Sequence, residues 1–428
     1  MPLVLLRSVR HRALTLVLGL LVLGGSAAGI LRWFQASRAR SSWDRATLER
    51  AARLERDNAF YQHRLGQWEE FSLAEGDPQR ALVHYRRATE LNPYESSYWL
   101  DWAEALQLTG KTAEAEAALA RALQVDPRTP RTLWRVGNFW LRSPEPSRAF
   151  PHFRRLLLTD PTFSLPVIQA GHRALGRPEI LLREVLPAQP RFLLAYLRYL
   201  VRHREEKAAG RVWQALVGLG QVFDPKQAFF YLDELIRTRQ LPRAVAAWSD
   251  LKVLGLLPGQ GRTRDELLYN ADLRAPILNS GFDWRVEPVR HVGVTLGGGR
   301  QGEQPPAVVV RFSGEHNLRY RHFFQYVVVE PKTRYRFGAW LSTEGISTDS
   351  GPRLEIADAD NPQAAVARSP SLVGANDWRH EQVEFVTGPE TRLLRVGIVR
   401  LPSRRLDNRI RGSVRASEFS LRAVRRGF

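Results

Sequence analysis

The chain has 428 residues, 44% of them hydrophobic and 25% charged, with no cysteine and a formal net charge of +19. That length exceeds what one core serves and that composition excludes wholesale disorder, while the missing thiols exclude disulfides, cysteine nucleophiles and thiolate metal sites. Arginine supplies 58 of the 63 basic residues and is spread over the whole chain, which argues against the clustered basic stripe that nucleic-acid binding needs.

Residues 1–12 are a basic flank holding Arg7, Arg10 and Arg12. Residues 13–31, ALTLVLGLLVLGGSAAGIL, run 19 residues without a charge. At 1.5 Å per residue this approaches the ~30 Å hydrocarbon core of a bilayer. It is longer than the apolar stretch of a cleaved signal, about 7–15 residues, so a transmembrane signal anchor is expected. The small residues of GSAAG at 25–29 leave cleavage as the alternative. Arg32, Arg38, Arg40 and Arg45 follow, so positive charge flanks both ends and the charge rule sets orientation only weakly.

A 34-residue period follows. ELNP ends at Pro93, QVDP at Pro127 and LTDP at Pro161. Gly76, Ala81, Tyr85 and Ala88 precede Pro93 by the offsets at which Gly110, Ala115, Leu119 and Ala122 precede Pro127. Ala149, Phe153 and Leu156 continue the phase before Pro161, and Trp99, Trp102 and Leu106 match Leu133, Val136 and Trp140, with Gly137 beside them. Small residues suit the close approach of two helices, the large apolar residue fills the groove between units, and proline closes each second helix. This pattern resembles the tetratricopeptide repeat. The resemblance implies antiparallel helix pairs stacked into an α-solenoid, whose concave face holds a protein partner. One unit departs: Leu65-Gly66 stands ten residues before Gly76 instead of seven, so a longer or bulged first helix is expected there. The pattern weakens downstream, where Tyr231, Ala244, Trp248 and Leu251 keep the phase. The solenoid is assigned to 32–255, with five or six hairpins from residue 42 onward.

GLLPGQGRT at 255–263 marks a break, and 256–268 is read as a linker. Past residue 270 the hydrophobic period changes to 2, with strands expected at 307–312, 321–330, 333–342, 352–358, 379–387, 392–400 and 413–423. GGGRQGEQPP, EPKT, DADNP and TGPE supply the turns. Seven or more short strands predict an antiparallel β-sandwich over 269–428. YNADLRAP with SGFDW, the hairpin QYVVVEPKTRYRFGAWLST, NDWRHEQVEFVTGPETRLLRVGI and VRASEFSL together resemble carbohydrate-binding modules and galactose-binding-like jelly rolls. Lys332 replaces the usual turn glycine. Ser417-Glu418 stands where that family often has two aspartates, so no calcium site is expected there. The fold class is therefore multidomain, α then β: a transmembrane helix, a tetratricopeptide-type α-solenoid and a jelly-roll-like β-sandwich.

On the hairpin's second strand Tyr335, Phe337, Ala339 and Leu341 read as core, while Arg334, Arg336, Gly338 and Trp340 face the other way. Sugar sites combine exposed rings with a few planar polar groups. A groove of Trp340, Arg336, Arg353 and Glu355 is the candidate ligand site; the alternative covers Trp340 with the loop at 343–351. Trp284 and Trp378 are assigned to the core. GGGRQG at 297–302 satisfies a dinucleotide pattern, but it runs into Pro305-Pro306 rather than a helix. Asp358, Asp360 and Asn361 read as a turn. The ten histidines are scattered, and no catalytic motif, cofactor or metal site is expected. The resemblances imply a non-catalytic scaffold of bacterial polysaccharide (exopolysaccharide) or cell-envelope assembly. It would be single-pass in the inner membrane, N-terminus in and bulk outside, with a protein on the solenoid and a polysaccharide on the sandwich. A glycan-cleaving enzyme with its groups on the sandwich, or a purely structural sandwich, are the alternatives.

Overall fold

A computed structural model describes residues 9–258, 265–299, 302–361 and 365–424. The chain divides into two compact units, Met1–Pro187 and Ala188–Phe428.

The first unit is helical. Helix α1 (Val9–Ser37) contains the only described stretch long and apolar enough to cross a membrane, Ala13–Ser37, and its leucines there are exposed. Its last turn differs: Ala36, and Ala39 just beyond, are buried beside Leu48 of α2 (Arg45–Leu54) and Tyr61, Leu65 and Trp68 of α3 (Ala59–Phe71). Pairs follow: α3 with α4 (Pro78–Leu91), α5 (Ser96–Leu108) with α6 (Thr112–Val125), and α7 (Pro130–Leu141) with α8 (Phe150–Thr159). Helix α9 (Ser164–Leu175) faces the short α10 (Pro178–Ile180), which runs into one π turn, Leu181–Val185.

The repeat positions behave as their spacing requires. Ala81, Tyr85, Ala88, Ala115, Leu119, Ala122, Ala149 and Phe153 are all within 1% of complete burial. Gly66 and Gly137 sit where a Cβ would overlap the rings of Tyr85 and Phe153. The equivalent positions of the middle unit hold Ala103 and the smaller Leu119, both buried, so glycine accompanies a ring and alanine accompanies leucine. Gly110 turns the chain at φ +79°, and Trp99 Nε1 donates to the Pro93 carbonyl at 2.9 Å. The expected longer helix is not found. Helices α3 and α5 both have 13 residues, and the three extra residues lie in the connection 72–77. There the Gly76 N–H closes a turn on Ser72 O, and a Cβ would come 2.5 Å from the Glu69 and Ser72 carbonyls.

The second unit begins with two more pairs, α11 (Pro190–Arg202) with α12 (Glu206–Gly218) and α13 (Phe229–Arg237) with α14 (Leu241–Val253). Among the described residues ten strands follow: β1 (Arg285–Val286), β2 (Val292–Gly299), β3 (Gly302–Ser313), β4 (Tyr320–Val328), β5 (Arg334–Ile346), β6 (Arg353–Asp358), β7 (Ala365–Arg368), β8 (Gly374–Val386), β9 (Leu393–Arg400) and β10 (Arg411–Ala423). They form two antiparallel sheets, ordered β1-β4-β9-β6-β7 and β2-β3-β10-β5-β8. The GGGRQG stretch joins β2 to β3, with Gly299 opposite Gly302, and opens no helix; residues 300 and 301 lie outside the described residues. Asp358 Oδ1 accepts from the Asp360 N–H at 2.9 Å, the turn expected there.

The core between the sheets is aromatic. Trp284 is fully buried, stacks on Phe323 at 4.6 Å and donates to the Asn270 carbonyl at 3.0 Å. Asn270, at φ +50°, grips Ala275 through both its amide atoms, which explains the first motif of the sandwich. Gln325 pairs with both backbone groups of Tyr269. Lys332 takes φ +53°, the conformation that its family counterpart glycine reaches freely. Trp378 departs from expectation: it is half-buried on β8, outside the core. Arg400 is 0% exposed and donates to the carbonyls of Leu318, Ser350 and Asn408 and to Asn317 Oδ1, tying three loops together.

Helices α13 and α14 dock on this sandwich. Asp233 Oδ1 accepts from Ser280 Oγ (3.1 Å), the Gly281 N–H (3.0 Å) and Arg285 Nη2 (2.6 Å). Trp248 packs edge-on against Tyr269 (5.1 Å) and Phe282 (6.0 Å), and Gly281, at φ +57°, leaves room for its ring. Arg239 reaches Asp360 and the Ala359 carbonyl.

Candidate functional site

Each unit presents a surface that carries chemistry. In the first unit the leading helices of three pairs place polar residues side by side. Arg64, Asp101 and Arg135 occupy one repeat position, and Gln67, Glu104 and Asn138 the position one turn on. Arg135 bridges Asp101 (2.5 Å) and Glu104 (2.8 Å), while His63 and Gln67 reach Asp101 from α3. Burial would raise the Asp101 carboxyl, but the His63 hydrogen bond and the Arg135 charge hold it below the usual range. Glu70 is pushed up by burial, and accepts from the Tyr85 hydroxyl at 2.5 Å. Asp101 therefore stays charged, in a row of alternating sign along the repeats.

In the second unit the four residues expected to form one groove divide between two outer faces. Trp340 and Arg336 project from β5, and Arg353 and Glu355 from β6, in the other sheet. The cause is topological: the link between β5 and β6 crosses from one sheet to the other, so neighbours in sequence end on opposite sides. Glu355 is buried and receives Arg321 Nη2 at 3.1 Å and Arg368 Nε at 2.7 Å, which occupies its carboxylate structurally. Arg353 donates to Ser350 Oγ at 3.3 Å, and burial lowers its pKa. The same face carries Arg395 over the Phe324 ring at 3.8 Å.

Trp340 is half-buried on the other face, paired with Ser417 on β10 and with His380 on the edge strand β8, with its ring 5.4 Å from the imidazole. Arg336 is exposed and held by Glu384, with Nη2 2.5 Å from Oε1. Open depressions of about 310 Å³ lie on either side. Arg336, His380, Gln382 and Arg422 line one; Glu344, Asn376, Trp378 and Arg415 line the other. The core face of β5 is as expected, with Tyr335, Phe337, Ala339 and Leu341 all buried. Sequence reasoning missed His380 and Trp378 as companions of Trp340. Their alternation along β8 was the available signal, but Trp378 had been placed in the core.

The tetratricopeptide repeat model matches residues 72–133. An uncharacterized protein of Methanocaldococcus jannaschii is 37% identical over 51 residues, 12% of this chain, and the match spans 59% of that protein's length. Among solved structures, the MamA protein is 13% identical over 42% of this chain and 96% of its own, with a TM-score of 0.32. TmCBM61, in its complex with β-1,4-galactotriose, is 19% identical over 38% of this chain and 100% of its own, with a TM-score of 0.26. Likenesses of that size say nothing of a ligand. Residues 72–133, which hold α4 to α6 and the first turn of α7, thus belong to the tetratricopeptide repeats.

Proposed function

We propose that the chain is a non-catalytic, membrane-anchored scaffold of bacterial polysaccharide or cell-envelope assembly, with α1 in the inner membrane and the bulk outside. The repeats hold a protein partner, and the sandwich contacts a glycan through the face of Trp340 and Arg336. The observation that carries the glycan reading is Trp340 itself: an indole on an open sheet face, between two polar depressions. Pyranose C–H faces stack on such rings while flanking amide, imidazole and guanidinium groups meet the hydroxyls. Arg353 and Glu355, on the opposite face, drop out of this site.

The test is a glycan array probed with the full-length chain and with Trp340→Ala. A loss of signal of about fivefold or more in the variant is expected, because stacking contributes about 1 kcal/mol beyond buried area. Equal binding by the two proteins sinks this site. Release of reducing ends from a bound polysaccharide by the purified protein sinks the non-catalytic reading.

A further inference from the structure

Where β2 begins, the structure brings one histidine against an adjacent Glu-His pair more than twenty residues further along the chain. His291 immediately precedes β2, and Glu315 and His316 open the loop between β3 and β4. His291 Nδ1 lies 2.6 Å from Glu315 Oε2, and His316 Nε2 lies 3.9 Å from the same oxygen. The two imidazoles are 4.1 Å apart and tilted by 54°, so they are not stacked flat. One ligand atom from each of the three falls within 4.8 Å of the others.

The scaffold beneath is fixed. The His291 carbonyl accepts from the Ser313 N–H and the His316 carbonyl from Ile410, while Gly314, at φ +89°, donates to the Ile410 carbonyl. The next residue, Asn317, is held by Arg400 Nη1 and the Ser403 N–H. His291 itself has φ +70°, a conformation costly for a residue with a Cβ, and it turns the imidazole toward the loop.

We propose that His291, Glu315 and His316 form a binding site for a divalent first-row transition metal such as zinc. Two imidazoles and one carboxylate are the donors that such ions take, whereas calcium and magnesium ask for oxygen alone. Tetrahedral bonds of about 2.0–2.2 Å place ligand atoms about 3.4 Å apart. The observed separations of 2.6 and 3.9 Å straddle that value, so side-chain rotation alone completes the set. Water takes the fourth position, since Glu315 and His316 are more than half exposed. The ion ties the start of β2 to the β3–β4 loop.

Calorimetric titration of the full-length chain in detergent, without a polyhistidine tag, tests this with zinc chloride. One equivalent of zinc is expected to bind, with calcium chloride giving no saturable heat. His316→Ala, at an exposed loop position, weakens that site at least tenfold. His291→Asn does the same while tolerating the left-handed backbone. Cobalt substitution gives a visible absorption band that both variants lose. Absence of saturable zinc binding in the wild type overturns the proposal, as does wild-type affinity in His316→Ala.

Discussion

At the scale of single residues, burial decides charge. Asp283 is 0% exposed and accepts from the Leu278 N–H at 2.7 Å, and burial pushes its carboxyl up to about 7. In the unfolded chain an aspartate titrates near 3.9. Between those values the folded protein retains a proton that the unfolded chain has released, so this group makes stability fall as pH rises from about 4 to about 7. Below that window both states are protonated, and above it both are ionised and the cost is complete. Asp283→Asn keeps the acceptor for Leu278 and removes the titration. Its thermal midpoint is expected to gain on the wild type between pH 4 and 7 and to hold that lead above pH 7. Parallel midpoint curves for the two proteins would refute the assignment.

At the scale of elements, local periodicity was readable and long-range placement was not. The strands from 307 to 423 follow alternation and turn residues, so their positions were legible to within a few residues. Strands β1 and β7 were missed because two and four residues are too short to show a period, and β2 because its four glycines hide one. The row Arg64, Asp101, Arg135 was hidden for another reason. Assigning the three extra residues to a helix, rather than to 72–77, put α3 out of phase with α5. The split of Trp340 from Arg353 depends on which strands share a sheet, which no alternation encodes. The docking of α13 and α14 was likewise invisible, since SGFDW reads equally well as a strand opening. Trp248→Ala removes the ring that fills the space over Gly281. A loss of about 3 kcal/mol or more is expected in urea unfolding. An unchanged midpoint would show that the hairpin rests on the sandwich without stabilising it.

At the scale of the whole molecule, the proposed role makes α1 the attachment point. Full-length protein is expected to stay with membranes through a carbonate wash, and a chain lacking residues 1–37 to enter the soluble fraction. Wash-out of the full-length protein contradicts the anchor. A protein fixed to a membrane and holding a polymer bears load, and the contact between α13–α14 and the sandwich then takes on a mechanical meaning. Asp233 with its three donors, Trp248 over Gly281, and Arg239 at Asp360 all bridge the same two bodies. In the proposed role these contacts would share tension rather than yield in turn, and the joint would part in a single step above a threshold force.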